Sequence, residues 1–225
     1  MSFVHATSGD GQTSASVSVP TGVANDDVLV ACCFARHSSS STPAIDTPSG
    51  WTLVATATGA DGSVYWRTSC FRKVASSESG SYTFGGTTNA YYVATVGAYR
   101  GIDTSAVVNV YSNDGYVTSG YALRAGSVTP TVSPTYLVFL GGWKNSFSTT
   151  VTPPTDFTER IDYSSSLRDS VTLADREYTT TDATGSIDGT ISRTTVMKHA
   201  FLLALTVKPG VPTQATHHYH QRRAA

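Results

Sequence analysis

Along this chain, hydrophobic and polar residues alternate in short bursts separated by turn residues, and no stretch shows the three-and-four spacing of an amphipathic helix. Ala15, Val17 and Val19 interleave with Ser14, Ser16 and Ser18, the period of two that gives a strand one buried and one wet face. Three other segments are apolar at both parities: Val28 to Phe34, Tyr136 to Leu140 and Ala200 to Leu205. A strand of that kind is central in its sheet, or a neighbouring subunit covers its outer face. Further strands are expected near 3–7, 51–57, 64–74, 81–84, 91–100, 107–112, 116–125, 157–162 and 170–178, with one helical turn as the alternative over Leu173 to Tyr178. Four Asp-Gly pairs, at Asp10, Asp61, Asp114 and Asp188, have the chemistry of tight hairpin turns, because both residues tolerate positive φ. Roughly a dozen strands fit an all-β fold, a two-sheet antiparallel β-sandwich of jelly-roll type, better than a small barrel.

Composition sharpens this picture. Of 225 residues, 40% are hydrophobic and only 14% charged, while 29 Ser and 34 Thr fill the polar positions. Helix-favouring Lys, Glu and Leu are scarce, which excludes a helical bundle or coiled coil. The pattern of a strand protein ends at Val207, so residues 1–207 read as the sandwich domain and 208–225 as an extended basic C-terminal tail. Lys208, Arg222 and Arg223 give that tail three positive charges and no acid; the body has 12 basic and 16 acidic residues. The net charge of −1 gives no field that would draw nucleic acid or an anionic membrane. No apolar run approaches the ~20 residues a membrane helix needs, and the N-terminus has neither a basic segment nor an apolar core of a secretory signal. Synthesis in the cytoplasm without export through such a signal is the expectation. Three cysteines, Cys32, Cys33 and Cys70, outline neither a disulfide framework nor a zinc knuckle and read as buried free thiols.

Candidate chemistry is thin. No G-x-S-x-G elbow is present; Gly185-Ser186-Ile187-Asp188-Gly189 sets its serine one place early. There is no phosphate-binding glycine loop and no calcium-loop pattern, and Asp156, Glu159 and Asp162 split across the two faces of a strand. His217, His218 and His220 are the one histidine cluster, in a tail that reads as a docking segment rather than a metal site. Neither catalytic residues nor a cofactor nor a metal is expected. One binding possibility rests on aromatics. Trp143, Lys144, Asn145 and Phe147 leave a predicted strand with the ring-plus-polar composition that suits a sugar's apolar face and hydroxyl rim, with Tyr91, Tyr92 and Tyr163 as possible helpers.

Several segments, taken in order, are familiar. Asn25-Asp26-Asp27-Val28-Leu29-Val30-Ala31, Pro48-Ser49-Gly50-Trp51-Thr52-Leu53-Val54, Gly80-Ser81-Tyr82-Thr83-Phe84 and Val96-Gly97-Ala98-Tyr99-Arg100-Gly101-Ile102-Asp103 are followed by the apolar strands Tyr136 to Leu140 and Phe201 to Val207. This succession, over residues 20–207, resembles a β-sandwich domain of tailed-bacteriophage virion proteins of minor tail, head decoration or fibre type. The resemblance implies a non-enzymatic structural or accessory protein, located in the virion and carrying no catalytic residues. Arg outnumbers Lys 11 to 4, and guanidinium forks suit permanent polar contacts between subunits. The expected partners are therefore copies of the chain itself, a trimer being favoured, and other capsid or tail proteins. Docking would run through subunit contacts and the tail residues Lys208, His217, His218, Tyr219, His220, Arg222 and Arg223. A host envelope glycan is the alternative partner.

Overall fold

A computed structural model describes residues 1–38, 41–113, 120–145, 149–195 and 197–210. In the first half of the chain the strands are β1 (Ser2–Gln12), β2 (Ser14–Ser18), β3 (Val28–His37), β4 (Thr52–Asp61), β5 (Val64–Val74), β6 (Ser81–Gly85) and β7 (Tyr91–Arg100). The second half supplies β8 (Val108–Ser112), β9 (Ala122–Ala125), β10 (Thr135–Lys144), β11 (Val151–Thr152), β12 (Thr158–Ser164), β13 (Asp169–Tyr178), β14 (Ile187–Ile191) and β15 (Lys198–Thr206). Residues 173–178 are strand, not a helical turn. Among the described residues every pairing is antiparallel, in two five-stranded sheets, β1-β7-β3-β5-β4 and β12-β13-β10-β15-β8, with a two-stranded sheet β2-β6 and a three-stranded sheet β11-β14-β9. Each large sheet comes from one half of the chain. The jelly-roll habit of sending strands back and forth between the two large sheets is not what this order shows.

The doubly apolar strands lie near the sheet centres, and the chain itself covers both of their faces. One parity of β3, with Val28, Val30 and Cys32, meets Val138, Leu140, Leu173 and Leu203 of the facing large sheet. The other parity, Leu29, Ala31 and Cys33, lies under Ala15, Val17, Tyr82 and Phe84 of the β2-β6 sheet. On the far side, Leu137, Phe139, Leu202 and Ala204 of β10 and β15 pack with Leu123, Ala125, Val151 and Ile191 of β9, β11 and β14. The result is four layers and three apolar seams, in which each fully buried aliphatic or aromatic side chain contributes about 1.5–3 kcal/mol. The doubly apolar ribbons thus give no reason of their own for a companion subunit.

The turn chemistry divides. Asp61 pairs with Val64, leaving Gly62 (φ +58°) and Ser63 as the two-residue hairpin expected there. Asp10-Gly11 and Asp188-Gly189 instead run inside β1 and β14. Gly11 is needed because β2 returns so close that a Cβ would stand 2.2 Å from the Ser14 carbonyl oxygen; the chain reverses afterwards, at Thr13, where φ is 75°. The Asp114 pair lies outside the described residues.

Residues from four of the quoted segments lock together in pairs. Arg100 donates from Nε and Nη2 to the two carboxylate oxygens of Asp27 at 2.9 and 2.7 Å, while Asp27 also accepts the Ala24 amide. Trp51 meets Tyr82 and Phe84 edge-on, at ring-centroid distances of 5.0 and 5.6 Å. These side chains hold turns and layers in place. All three cysteines are buried free thiols, and burial raises the thiol pKa of each.

Candidate functional site

At one end of the sandwich β10 stops, β15 starts, β14 gives way to residues 192–195, and the β4–β5 hairpin turns. These ends surround a half-open cavity of about 790 Å³. Its lining is polar and of mixed kind: the acid Asp61, the cations Lys144 and Arg193, the amide of Asn145, the hydroxyls of Thr149, Ser192, Thr194 and Thr195, and the ring of Tyr121. Tyr121 is 55% exposed, an amphipathic ring standing in reach of solvent beside hydrogen-bonding groups. Met197 and Gly120 also line it among the described residues.

The floor is held by a buried network. Trp143 donates from Nε1 to Thr149 Oγ1 at 2.9 Å, Ser164 and Ser170 join hydroxyls at 2.8 Å, and the Asn145 amide donates to Ser170. Asn145, Thr149 and Ser170 are all buried, so their positions are set by the fold before any ligand arrives. Beside this network β13 opens with Asp169, opposite Lys144 in the ladder. Arg36 of β3 donates from Nε to one Asp169 oxygen at 2.6 Å and from Nη2 to the Leu167 carbonyl, with its guanidinium 4.4 Å above the Tyr91 ring. The second carboxylate oxygen of Asp169 is buried with no hydrogen-bond partner among the described residues. Burial outweighs the attraction of Arg36 and pushes the Asp169 pKa up to about 7.

One cation lies behind the wall. Lys198, the first residue of β15, is 1% exposed, and its ammonium donates to the carbonyl of Gly120. No carboxylate pairs with it among the described residues. Burial lowers its pKa.

The structure redistributes the residues expected to meet a sugar. Trp143 is fully buried in the outer seam, with Phe139 and Ala200 in the same apolar cluster, and offers no face to a ligand. The Gly-Gly-Trp end of β10 continues a central strand, so its ring points into a seam that β9, β11 and β14 close. Lys144 and Asn145 do line the cavity, and Phe147 lies outside the described residues. Tyr92 is buried with its hydroxyl donating to the Ala44 carbonyl, Tyr91 carries Arg36, and Tyr163 donates to Asp10; none lines the cavity. Lys208 is exposed, with its backbone amide donating to the Gly101 carbonyl, while His217, His218, Tyr219, His220, Arg222 and Arg223 lie outside the described residues. Tyr121, Arg193 and Lys198 are not legible as site residues in the sequence. Lys198 gives one signal, as a lone cation at the head of an apolar run; nothing local marks Tyr121 or Arg193. Among the described residues, no group of three or more His, Cys, Asp or Glu gathers in a metal-binding arrangement. No family model, curated protein or solved structure matches this chain.

Proposed function

We propose that this chain is a non-enzymatic structural accessory protein of a tailed-phage virion, in a head-decoration, fibre or minor tail position. The observation that carries the reading is the ordered set of motifs from Asn25 to Val207. The fold supports it by using those residues as scaffold: Asp27 with Arg100 and Trp51 with Tyr82 and Phe84 are locking pairs rather than reactive groups. Leu53 and Tyr111, 44% and 47% exposed on the edge strands β4 and β8, line one open groove of about 430 Å³ and supply apolar surface for contact between copies, in a trimer by our reading. The basic tail then docks the body onto its neighbours. Immunolabelling of purified particles tests the assignment, which is overturned if the chain is absent from them. Deleting residues 209–225 should release the protein from particles while leaving the sandwich folded. Retention at full occupancy removes the tail as the anchor.

A second reading is favoured by one specific observation, the exposed Tyr121 ring beside the amide, hydroxyl and charged groups of the end cavity. In that reading the module binds a host envelope glycan there rather than at Trp143. Glycan-array binding lost in Tyr121→Ala, with an unchanged melting temperature, is the expected result. Silence across bacterial wall polysaccharides overturns it.

A further inference from the structure

The chain has three cysteines, and the sheet brings two of them face to face. Strands β3 and β5 run antiparallel in unbroken register from Val28 with Val74 to His37 with Tyr65, and in that ladder Cys32 stands directly opposite Cys70. Both lie on the face turned to the other large sheet, in one apolar cluster with Ala55, Val138, Leu140 and Leu203. Cys33 points the other way, toward the β2-β6 sheet, and its ladder neighbours are Ser69 and Ala94. The fold thus singles out one thiol pair of the three that could be drawn.

The hydrogen bonds at the ladder's end show which kind of pair this is. The Ala75 amide donates to the Asp27 carbonyl at 2.8 Å, so the position just beyond Val28 and Val74 is a hydrogen-bonded pair. Such pairs alternate with non-hydrogen-bonded ones, which places Val28 with Val74, Val30 with Arg72 and Cys32 with Cys70 in the second class. The β4–β5 hairpin agrees from the other side. It closes at Asp61 with Val64, and counting by twos from that turn makes Ala55 and Cys70 a hydrogen-bonded pair, so the Cys70 backbone groups point to β4 rather than β3. Across a non-hydrogen-bonded pair the Cα atoms are about 4.5 Å apart and the side chains are closest. That lies within the roughly 4.4–6.8 Å a disulfide spans.

We propose that Cys32 and Cys70 form a latent disulfide site, converted by an oxidising small-molecule disulfide into a cross-strand bridge between β3 and β5, with Cys33 left as a free thiol. This stands independently of the virion and glycan readings. One protein thiolate attacks a sulfur of the oxidant and expels the other half as a thiol; the second protein thiolate then displaces the remaining small thiol from the mixed disulfide. Two protein thiols are oxidised, one small disulfide is reduced to two thiols, and the two protein protons end on those thiols. In the closed fold both groups are fully buried and held protonated, burial having pushed Cys70 up to about 12. Exchange therefore runs while the strands are apart, during folding or when β4 and β5 open at the sheet edge. Once formed, the bridge is shielded by the seam.

The test equilibrates the full chain with mixtures of oxidised and reduced glutathione, starting from both the reduced and the oxidised protein, followed by acid quenching, alkylation and tandem mass spectrometry. The expected product is two hydrogens lighter, linked through Cys32 and Cys70, with Cys33 alkylated. Its melting temperature should rise by about 10 °C, because the bridge closes a loop of roughly 40 residues in the unfolded chain. By the same linkage the bridge should form at least about tenfold more readily in native buffer than in concentrated guanidinium chloride. Cys33→Ala should bridge as the wild type does; if that variant does not fold, the fragment assignment in the wild type carries the test. Absence of a bridge, a link through Cys33 or between chains, equal bridging in native and denaturing buffer, or a melting temperature that does not rise each overturns the proposal.

Discussion

Strand β13 carries two buried aspartates on one face, and they meet opposite fates. Asp169 and Asp175 are six residues apart, so both point into the seam between the large sheets, with Val171 and Leu173 between them and a span of about 20 Å. Asp175 is fully satisfied: Arg160 donates to its two oxygens at 2.9 Å each, Tyr99 donates to Oδ2 at 3.0 Å and Tyr136 to Oδ1 at 2.8 Å. The Arg160 guanidinium is in turn covered by the Phe3 ring at 4.4 Å. Asp169 has Arg36 on one oxygen and, among the described residues, no partner on the other. The first arrangement seals one end of the sandwich as a permanent clamp. The second leaves the opposite end, next to the cavity, with an acid that can hold a proton near neutrality. Rigidity and adaptability are thus divided between the two ends of a single strand.

The largest expected effect attacks the sealed end. Arg160→Ala strips a buried carboxylate of its bidentate partner and should lower unfolding free energy at pH 7 by about 3–5 kcal/mol in chemical denaturation. At the cavity end Arg36→Ala should cost about 3 kcal/mol at pH 8 but only about 1 kcal/mol at pH 5, because Asp169 can take up a proton instead of remaining an unpaired anion. If both arginine variants lose the same stability at pH 5, the contrast between the ends is broken.

Asp169 also gives the wild type a pH signature. An unfolded aspartate loses its proton near 4, whereas Asp169 in the fold keeps its own up to about 7. Between these values the folded state binds more protons, so stability falls as pH rises from about 4 to 7 and levels off above. Asp162, pushed up to about 6 by burial, acts in the same direction. Asp169→Asn should remove the larger part of that slope, about 3 kcal/mol across the interval; an unchanged profile of denaturation midpoint against pH would contradict the assignment. The smallest effect is the control. Arg124 and Asp188 form a well-aligned pair, yet both are more than a third exposed, so Arg124→Ala should change stability by no more than about 0.5 kcal/mol.

Much of the fold can be read from residues alone, and the site cannot. The alternation over Ser14 to Ser18 and the doubly apolar runs of β3, β10 and β15 identify strands because local period reports how many faces are buried. The strands β11 and β14 escape a local reading because they are short, and because Asp188-Gly189 carries turn chemistry that the ladder to β9 overrides. Lys144 and Asn145 stand out by composition and do line the cavity, but Trp143, the aromatic that draws attention to them, has its ring in the core. Tyr121 and Arg193 precede β9 and follow β14, strands that pair across more than 60 residues, so no window of sequence brings them together.

Periodicity and composition over a few residues at a time are enough to make this chain all-β, antiparallel and divided by turns, with greasy central strands. They say nothing of which neighbour covers which face. It takes the assembled layers to establish that two small sheets of the same chain cover those strands, that Trp143 is packing while Tyr121 is exposed, and that Lys198 stands behind a polar cavity. Burial and charge balance are sums over neighbours distant in the chain. They exist only once the four layers have come together.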